Sequence, residues 1–411
     1  MTPGSSTPHP SRAAMVLLAF LLLFGLYVPT SFSGTYSIPL WLGALGFIGL
    51  VALAASFRPN GIGSPFSVIN SLVLVAAIIA SSLVSPFPEY RWGGLLPFTV
   101  LALIYTLNMK DLTAGPYLRI AFIFTNILNL IAGAAVISHS SWIDNFLVTH
   151  YTSFYPELVS SMTDLGKPVL TFGSHSAAAF FFYLLFLLDL ESFAVFKRKL
   201  YLGFALGYIA LGFALFSVTG VVLMTVATAQ LVWLLARRNW RQLVLGASLA
   251  AACVTIVVEH YSLDIRAASD AVVLAEQAAA TSDVNGFSGR FSELGTLYTT
   301  VKYIKDRPFS PVGIGYRSDL FFGDSGPVEY FLRGSVVLVV CMYGGLFFFL
   351  KRNLISKRHL LALFLAIFAF ELGFSSLTYL RLICLLPVFV IYLNDLSRRE
   401  ISDAFERSAP A

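Results

Sequence analysis

Charge is scarce in this chain of 411 residues, because Asp, Glu, Lys and Arg together make up only 12% of it. A soluble domain carries about 25% of these residues. Hydrophobic residues instead reach 57%, and 37 phenylalanines add more apolar surface than one water-soluble core can bury. The composition therefore excludes a soluble globular protein and predicts an all-α polytopic membrane protein.

Cysteine and several common motifs are also scarce or missing. The three cysteines, Cys253, Cys341 and Cys384, form no CxxC pair, which argues against a disulfide framework or a zinc site. The sequence has no GxxxxGK[ST] phosphate loop, no HExxH, no DxD and no GxSxG. We therefore expect no metal and no cofactor, and the substrate of such an enzyme would have to arrive already activated.

Twelve apolar runs are long enough to cross the hydrocarbon core of a bilayer, which is about 30 Å thick. The lipid bilayer is therefore the first expected partner. The runs lie near residues 13–30, 37–57, 66–84, 95–109, 118–138, 168–189, 200–216, 218–236, 242–258, 333–350, 360–376 and 380–395.

Positively charged residues are distributed unevenly around these runs. Clusters such as 197–199, 351–352 and 357–358 fall in alternate connections, whereas the short loops on the opposite side hold only Arg91 and Lys167. Because Lys and Arg favour the cytoplasmic side, both termini are predicted to be cytoplasmic. This placement accounts for the net charge of +5, so no nucleic-acid partner is expected.

Two connections on the predicted outer side are long, namely 139–167 and a later loop between the ninth and tenth spans. In the later loop, Ala, Glu and Gln favour a helix over 264–280, and a second helix should begin near Ser292 and end before Pro308. The predicted organisation is a frayed tail at 1–12, spans one to nine within 13–258, a long and partly helical loop at 259–327, spans ten to twelve within 328–396 and a second frayed tail at 397–411.

One ionisable residue lies at the predicted outer start of the sixth span. His175 belongs to the segment Thr171-Phe-Gly-Ser-His-Ser176. An ionisable group at membrane depth costs free energy unless it has partners, and it indicates a functional site. A histidine at the interface, hydrogen-bonded to a neighbouring helix, explains the same residue, and the sequence leaves both interpretations open.

Two arginines of the long loop lie beside glycines. Arg290 lies in Gly289-Arg-Phe-Ser-Glu293, and Arg317 follows Gly313-Ile-Gly-Tyr316. A guanidinium group just outside the membrane suits a phosphate or pyrophosphate, since its planar fork donates in pairs and stays charged. The alternatives are a helix-surface ion pair between Arg290 and Glu293, and an Arg317 that is solvated or binds lipid headgroups.

A third polar segment lies where the long loop meets the tenth span, at Asp324-Ser-Gly-Pro327. The Asp324 carboxylate could accept a proton from a sugar hydroxyl or orient that hydroxyl. Asp324 and Ser325 could equally cap the tenth helix, with Pro327 in its first turn. Glu329 and Arg333 are spaced to pair at i, i+4. Glu371, in the eleventh span, is expected to find a polar partner inside the bundle.

The order and spacing of these segments resemble the O-antigen polymerase and ligase superfamily, whose members are multispanning bacterial inner-membrane glycosyltransferases with one long, late periplasmic loop. The resemblance rests on residues 288–291 (SGRF), 307–316 (RPFSPVGIGY), 324–334 (DSGPVEYFLRG) and 171–176 (TFGSHS). Ligases of the family carry His and a polar residue where this chain has Asp324-Ser325, which favours the Wzy-type polymerase branch. Val218 stands where many relatives have a basic residue.

The resemblance implies a reaction at the periplasmic face of the inner membrane. Undecaprenyl-pyrophosphate-linked repeat units would be polymerised into O-antigen, capsule or exopolysaccharide, with a flippase and a chain-length regulator as further partners. It implies that Asp324 or His175 is the base, that Arg290 and Arg317, assisted by Arg91 or Arg266, hold pyrophosphate, that Tyr316 and Tyr330 stack on sugars, and that Glu293 orients Arg290.

Two other functions stay open. One is an O-antigen ligase-type transferase, which moves a finished glycan onto an acceptor. The other is a transporter of lipid-linked oligosaccharides. A transporter usually has two similar halves and helices broken near the membrane midplane, and the sequence indicates neither feature.

Overall fold

The computed structural model describes residues 12–28, 64–84, 95–151, 160, 162–238, 298–306, 312–313, 325–372 and 376–408. Within these ranges the chain is α-helical, with two short 3-10 turns at Leu170–Phe172 and Ser376–Thr378 and no β-strand. The predicted all-α class is therefore confirmed for the described part of the chain.

The described helices are numbered in chain order. They are α1 Arg12–Tyr27, α2 Pro65–Val84, α3 Leu95–Thr106, α4 Gly115–Ile137, α5 Ser141–Tyr151, α6 His175–Phe196, α7 Lys199–Ala214, α8 Val218–Arg238, α9 Tyr298–Lys305, α10 Gly326–Asn353, α11 Lys357–Glu371 and α12 Leu380–Ser408.

Four of these helices, α2, α4, α6 and α10, are long and apolar enough to cross a membrane. Shorter apolar helices lie at Met15–Tyr27, Leu95–Thr106, Lys199–Ala214 and Thr219–Leu235. Described helices coincide with ten of the twelve predicted runs. The runs at 37–57 and 242–258 lie outside the described residues, so the total of twelve spans stays a prediction.

Two predicted boundaries differ from the structure. The sixth run was expected to begin near residue 168, but α6 begins at His175, because Gly173 has a positive φ of 73° and Ser174 caps the helix through the Ala177 N–H. The tail at 397–411 was expected to fray, yet α12 continues to Ser408. Hydrophobicity alone detects neither a capping residue nor a polar helical extension.

The long loop is described only in small part. Helix α9, at Tyr298–Lys305, lies within the second helix predicted for that loop. The helix predicted over 264–280 lies outside the described residues.

Helices α6 and α12 form the centre of the bundle. α6 packs against α7, α8 and α12, and residues 381–397 of α12 are all buried. Phe180 of α6 stacks on Phe370 of α11, with ring centroids 4.3 Å apart. Around this centre, α10 packs against α2, and α1 packs against α4 and α12.

Large apolar side chains face outward from the surrounding helices. Leu72 on α2 is 65% exposed, Ile120 on α4 is 64% exposed and Val340 on α10 is 61% exposed. Such surfaces favour a hydrocarbon environment over water.

The bundle has two chemically different ends. One end, here called the basic end, contains the connections 107–114, 197–198 and 354–356, and lysines and arginines lie in or directly beside them. The opposite end, here called the motif end, contains the end of α1, the starts of α6, α10 and α12, and the end of α11. The positive-inside rule predicts that the basic end is cytoplasmic.

Candidate functional site

The structure describes two of the predicted site residues, His175 and Tyr330, and both lie at or near the motif end. The other predicted site residues lie outside the described part of the chain. These are Asp324, Arg290, Arg317, Arg91, Arg266, Glu293 and Tyr316. Their roles in binding and catalysis stay predictions.

His175 is the first residue of α6 and is partly exposed. The 3-10 turn before it is fixed to α1, because the Thr171 hydroxyl donates to the Leu26 carbonyl at 2.5 Å. The Tyr379 hydroxyl donates to the Phe172 carbonyl at 3.3 Å and joins the same turn to the segment before α12. The histidine therefore follows a turn that is hydrogen-bonded to two other parts of the bundle, α1 and the segment before α12.

Tyr330 lies on the first turns of α10 and is fully buried. Its ring packs edge-on against Phe98, with centroids 6.1 Å apart, and lies 5.9 Å from the ring of Tyr343. Its hydroxyl interacts electrostatically with the Glu371 carboxyl group. Stacking of this ring on a sugar would require α10 to move, and that role stays a prediction.

Glu371 is the best-connected carboxylate at the motif end. It is the last residue of α11 and is fully buried. One carboxylate oxygen, Oε1, accepts from the Ser376 hydroxyl at 2.7 Å and from the Leu377 N–H at 2.6 Å, and Oε2 accepts from the Tyr343 hydroxyl at 3.0 Å. The expectation of a polar partner inside the bundle is confirmed, because the partners come from α10 and from the turn before α12.

Gly326 begins α10 directly against this carboxylate. A Cβ atom at this position would overlap Oε2 of Glu371 and would lie 3.1 Å from the Tyr343 hydroxyl oxygen, so only glycine fits. Pro327 lies in the first turn as predicted, but the Ser325 side chain makes no capping hydrogen bond. The Glu371 carboxyl group therefore lies directly against the first residue of α10, and Glu329 is the acidic residue within the first turn of this helix.

Helix α10 is broken one-third of the way along. Gly334 (φ −152°, ψ 23°) and Ser335 (φ 58°, ψ −162°) have non-helical backbone angles. Gly313 lies against this break, because a Cβ atom there would stand 2.6 Å from the Leu332 carbonyl oxygen and 2.7 Å from the Gly334 nitrogen. With φ at 77°, Gly313 also has a backbone conformation that favours glycine. Two of the sequence motifs, at 307–316 and 324–334, therefore meet at the break.

An ion pair stabilises the short part of α10 before the break. Arg333 Nη2 lies 3.0 Å from Glu329 Oε1, which confirms the predicted i, i+4 pair. The guanidinium group also lies 5.8 Å from the centre of the Phe98 ring on α3. The first turns of α10 are thus fixed to α3 on one side and to Glu371 on the other.

Arg381 joins α1 to α12 at the motif end. It is only 2% exposed, and it donates to the carbonyl oxygens of Leu26 at 2.6 Å and Val28 at 2.7 Å. These carbonyls belong to the end of α1, where no intrahelical donor is available. The guanidinium group lies 5.8 Å from the Tyr151 ring and 5.9 Å from the Phe172 ring.

The segment from His139 to Lys167 contributes a helix, α5, with exposed aromatic residues. Trp142 is 73% exposed and stacks on Phe146, with centroids 6.1 Å apart. Partial burial raises the pKa of the Asp144 carboxyl above its usual value, with a smaller opposing effect from His139. Burial lowers the pKa of the Lys167 amine. Aromatic side chains of this kind are typical of a membrane interface.

A second buried carboxylate, Asp189, lies in the interior and was not singled out from the sequence. It accepts from the Asn126 amide at 2.8 Å, and the Tyr208 hydroxyl donates to the same Asn126 at 2.8 Å. Tyr27 and Asn129 extend this network to α1, with the Tyr27 hydroxyl donating to Asn129 at 2.9 Å. The network joins α1, α4, α6 and α7. The feature of the sequence that indicates this residue is a single Asp within an apolar run.

The described residues define an all-helical protein, and its long apolar helices indicate a membrane protein. In the described ranges no group of three His, Cys, Asp or Glu side chains could hold a metal ion. Comparison with protein families, with curated proteins and with solved structures gives no significant match. The resemblance to the O-antigen polymerase and ligase superfamily therefore rests on the motif residues alone.

Proposed function

We propose that this protein is a membrane glycosyltransferase that polymerises undecaprenyl-pyrophosphate-linked repeat units at the motif end. The observation that carries the proposal is the contact between Gly313 and residues 332–334, which joins two separate family-like motifs at one place. Close packing of the two motifs is expected if both contribute residues to one site. The same end carries His175 on a turn that α1 and the segment before α12 hold.

The proposed chemistry is a glycosyl transfer. A hydroxyl of the incoming repeat unit attacks the anomeric carbon of the growing glycan, the bond to the pyrophosphate oxygen breaks, and lipid pyrophosphate leaves. The hydroxyl proton passes to Asp324 or His175 as the base. Arg290 and Arg317 stabilise the charge that develops on the leaving pyrophosphate, and Arg91 or Arg266 assists.

This chemistry is consistent with a protein that lacks nucleotide-binding motifs. The donor carries its own activation in the pyrophosphate linkage, so no nucleotide is needed. The lipid part of the donor requires a catalytic end next to the hydrocarbon core, and outward-facing apolar side chains such as Val336 and Val337 on α10 begin directly at the break.

One observation favours a second candidate, a transporter of lipid-linked oligosaccharides. Helix α10 is interrupted at Gly334 and Ser335, and transporters often bind their substrates at interrupted helices. The alternative ligase activity is tested in the same experiment as the other two.

The decisive experiment uses purified protein in detergent with lipid-pyrophosphate-linked repeat units as the substrate. We expect a ladder of glycans of increasing length without nucleotide or added acceptor. Transfer that occurs only after lipid A core is supplied would instead indicate a ligase. Transbilayer movement of the lipid-linked unit in proteoliposomes, with no ladder, would indicate a transporter.

Arg290→Lys tests the proposed pyrophosphate site. Lys keeps the positive charge but cannot donate two parallel hydrogen bonds, so most of the activity should be lost while the protein still inserts. The matched control is Arg358→Lys at the basic end, which should keep normal activity. Near-normal activity of Arg290→Lys would remove Arg290 from the site.

A further inference from the structure

Glu371 lies where three segments of the motif end meet. Its carboxylate contacts Tyr343 in the second part of α10, Ser376 and Leu377 in the turn before α12, and Gly326 at the start of α10. The residue is fully buried, so it does not reach substrate in this structure. One of its contacts is nevertheless with Gly326, which lies two residues after Asp324 in the sequence.

The residue that precedes α10, Ser325, directly follows Asp324 in the sequence. Ser325 is buried and extended, with φ −160° and ψ 116°, and its carbonyl accepts from the Glu329 N–H at 2.9 Å. The Ser325 side chain makes no capping bond, and the Glu371 carboxyl group lies directly against Gly326 at this helix start.

We propose that Glu371 is a positioning residue for the glycosyl transfer, because it contacts the start of α10, which lies two residues after Asp324 in the sequence. The inference rests on the proposed function and names a residue that the motif resemblance does not include. The two oxygens of the carboxylate make different contacts. Oε1 holds the turn at 376–377, while Oε2 holds Tyr343 and faces the first residue of α10.

Two substitutions at Glu371 distinguish the loss of all these contacts from the loss of the negative charge alone. Glu371→Ala removes all acceptors, and kcat should fall about 100-fold with KM nearly unchanged, since a misplacement of about 1 Å is sufficient for such a loss. Glu371→Gln should lose less activity, because its amide oxygen still accepts from Ser376 and Leu377 and its amide group can donate to Tyr343. Initial rates of ladder formation against substrate concentration give kcat and KM.

Gly326→Ala approaches the same contact from the opposite side. The added methyl group overlaps Oε2 and must displace either the carboxylate or the helix start, so kcat should fall although Glu371 is intact. The matched control is Gly344→Ala on the same helix, where an added Cβ meets no heavy atom within 4 Å. This control should keep the kcat, the KM and the melting temperature of the original protein.

The outcomes are distinguishable. If the original protein makes a ladder and both Glu371→Ala and Gly326→Ala keep its kcat, Glu371 is not a positioning residue and the proposed function stands. If Glu371→Ala fails to fold while Glu371→Gln and Gly326→Ala keep full kcat, the role is purely structural and the inference is wrong. If the original protein makes no ladder and moves or transfers the substrate instead, the proposed function is wrong and the inference is wrong with it.

Discussion

At both ends of the bundle, arginine side chains donate to backbone carbonyl groups, but the burial of these arginines differs. At the basic end, Arg352 donates to the Tyr105 carbonyl at 3.0 Å and Arg398 donates to the Leu112 carbonyl at 2.7 Å, and both side chains are partly exposed. At the motif end, Arg381 performs the same task on α1 but is fully buried between aromatic rings. Water can reach Arg352 and Arg398 at the basic end, whereas the buried Arg381 at the motif end depends on the protein for its hydrogen-bond partners.

The carboxylates of the two ends differ in the same way. Glu191 at the basic end forms an ion pair with Arg358 and lies 3.1 Å from His359 Nε2. Glu371 at the motif end accepts from hydroxyl groups and one backbone N–H, and it lies beside a helix start. Arg358 therefore offsets the charge of Glu191, whereas neutral donors hold the Glu371 carboxyl group. A carboxylate held in this way needs exact geometry, which is expected next to a catalytic site.

The largest difference should appear when each end loses its capping arginine. Arg381→Met leaves two buried carbonyls of α1 without a donor and should cost about 3 kcal/mol of unfolding free energy. Arg398→Met should cost about 1 kcal/mol or less, because water can bind the exposed carbonyls. Thermal unfolding in detergent measures both. Equal losses would show that burial does not separate the two ends.

A smaller difference is expected from glycines. Gly313→Ala adds a methyl group against the backbone at residues 332–334, in a conformation with φ of 77°, and should cost about 2 kcal/mol. Gly203→Ala near the start of α7 should be neutral, because a Cβ there meets no heavy atom within 4 Å. Limited proteolysis should detect detachment of the 307–316 segment only in Gly313→Ala. A stable, undetached Gly313→Ala would contradict the tight contact at the break in α10.

A third prediction compares two residues with positive φ, one after a helix at each end of the bundle. His139 ends α4 at the motif end with φ of 53°, and Lys197 ends α6 at the basic end with φ of 56°. Replacing either residue by glycine removes a left-handed strain and should stabilise the protein by about 1 kcal/mol. The two increases in melting temperature should be similar. A clear difference between the two increases in melting temperature would mean that these single residues already distinguish the two ends of the bundle.

The smallest effect is expected from the ion pair of the basic end. Arg358 is 46% exposed, so its pair with Glu191 should contribute about 0.5 kcal/mol. Glu191→Gln should lower the melting temperature slightly, and high salt should abolish the difference because it screens exposed charges. Glu371→Gln should show no such salt dependence, since its carboxylate is buried. A salt-insensitive Glu191→Gln would weaken the contrast between the two ends.

Much of the helical framework follows from composition and local pattern. Apolar runs predicted the positions of ten described helices, and spacing predicted Pro327 in the first turn of α10 and the pair of Glu329 with Arg333. Boundaries were less predictable. The start of α6 depends on one glycine and one capping serine, and the extension of α12 depends on contacts such as Arg398 with Leu112.

The candidate site was predictable only in part, because its contacts join residues that are far apart in sequence. The motifs at 307–316 and 324–334 were recognised separately, but their meeting at Gly313 and the break in α10 was not. Most of the predicted arginines, together with Asp324, lie outside the described residues. The sequence also indicated that Glu371 needs a partner without indicating which one.

Hydrophobic composition and helix periodicity are local properties of the chain, so they suffice to predict that this protein is helical and apolar. Which polar groups the bundle buries depends on the packing of its helices. Arg381 caps a helix 355 positions earlier in the chain, and Glu371 faces the start of α10 45 positions before it. Such pairings depend on how helices pack, and a buried charge or an unpaired carbonyl is too costly to persist unless the packing supplies its partner.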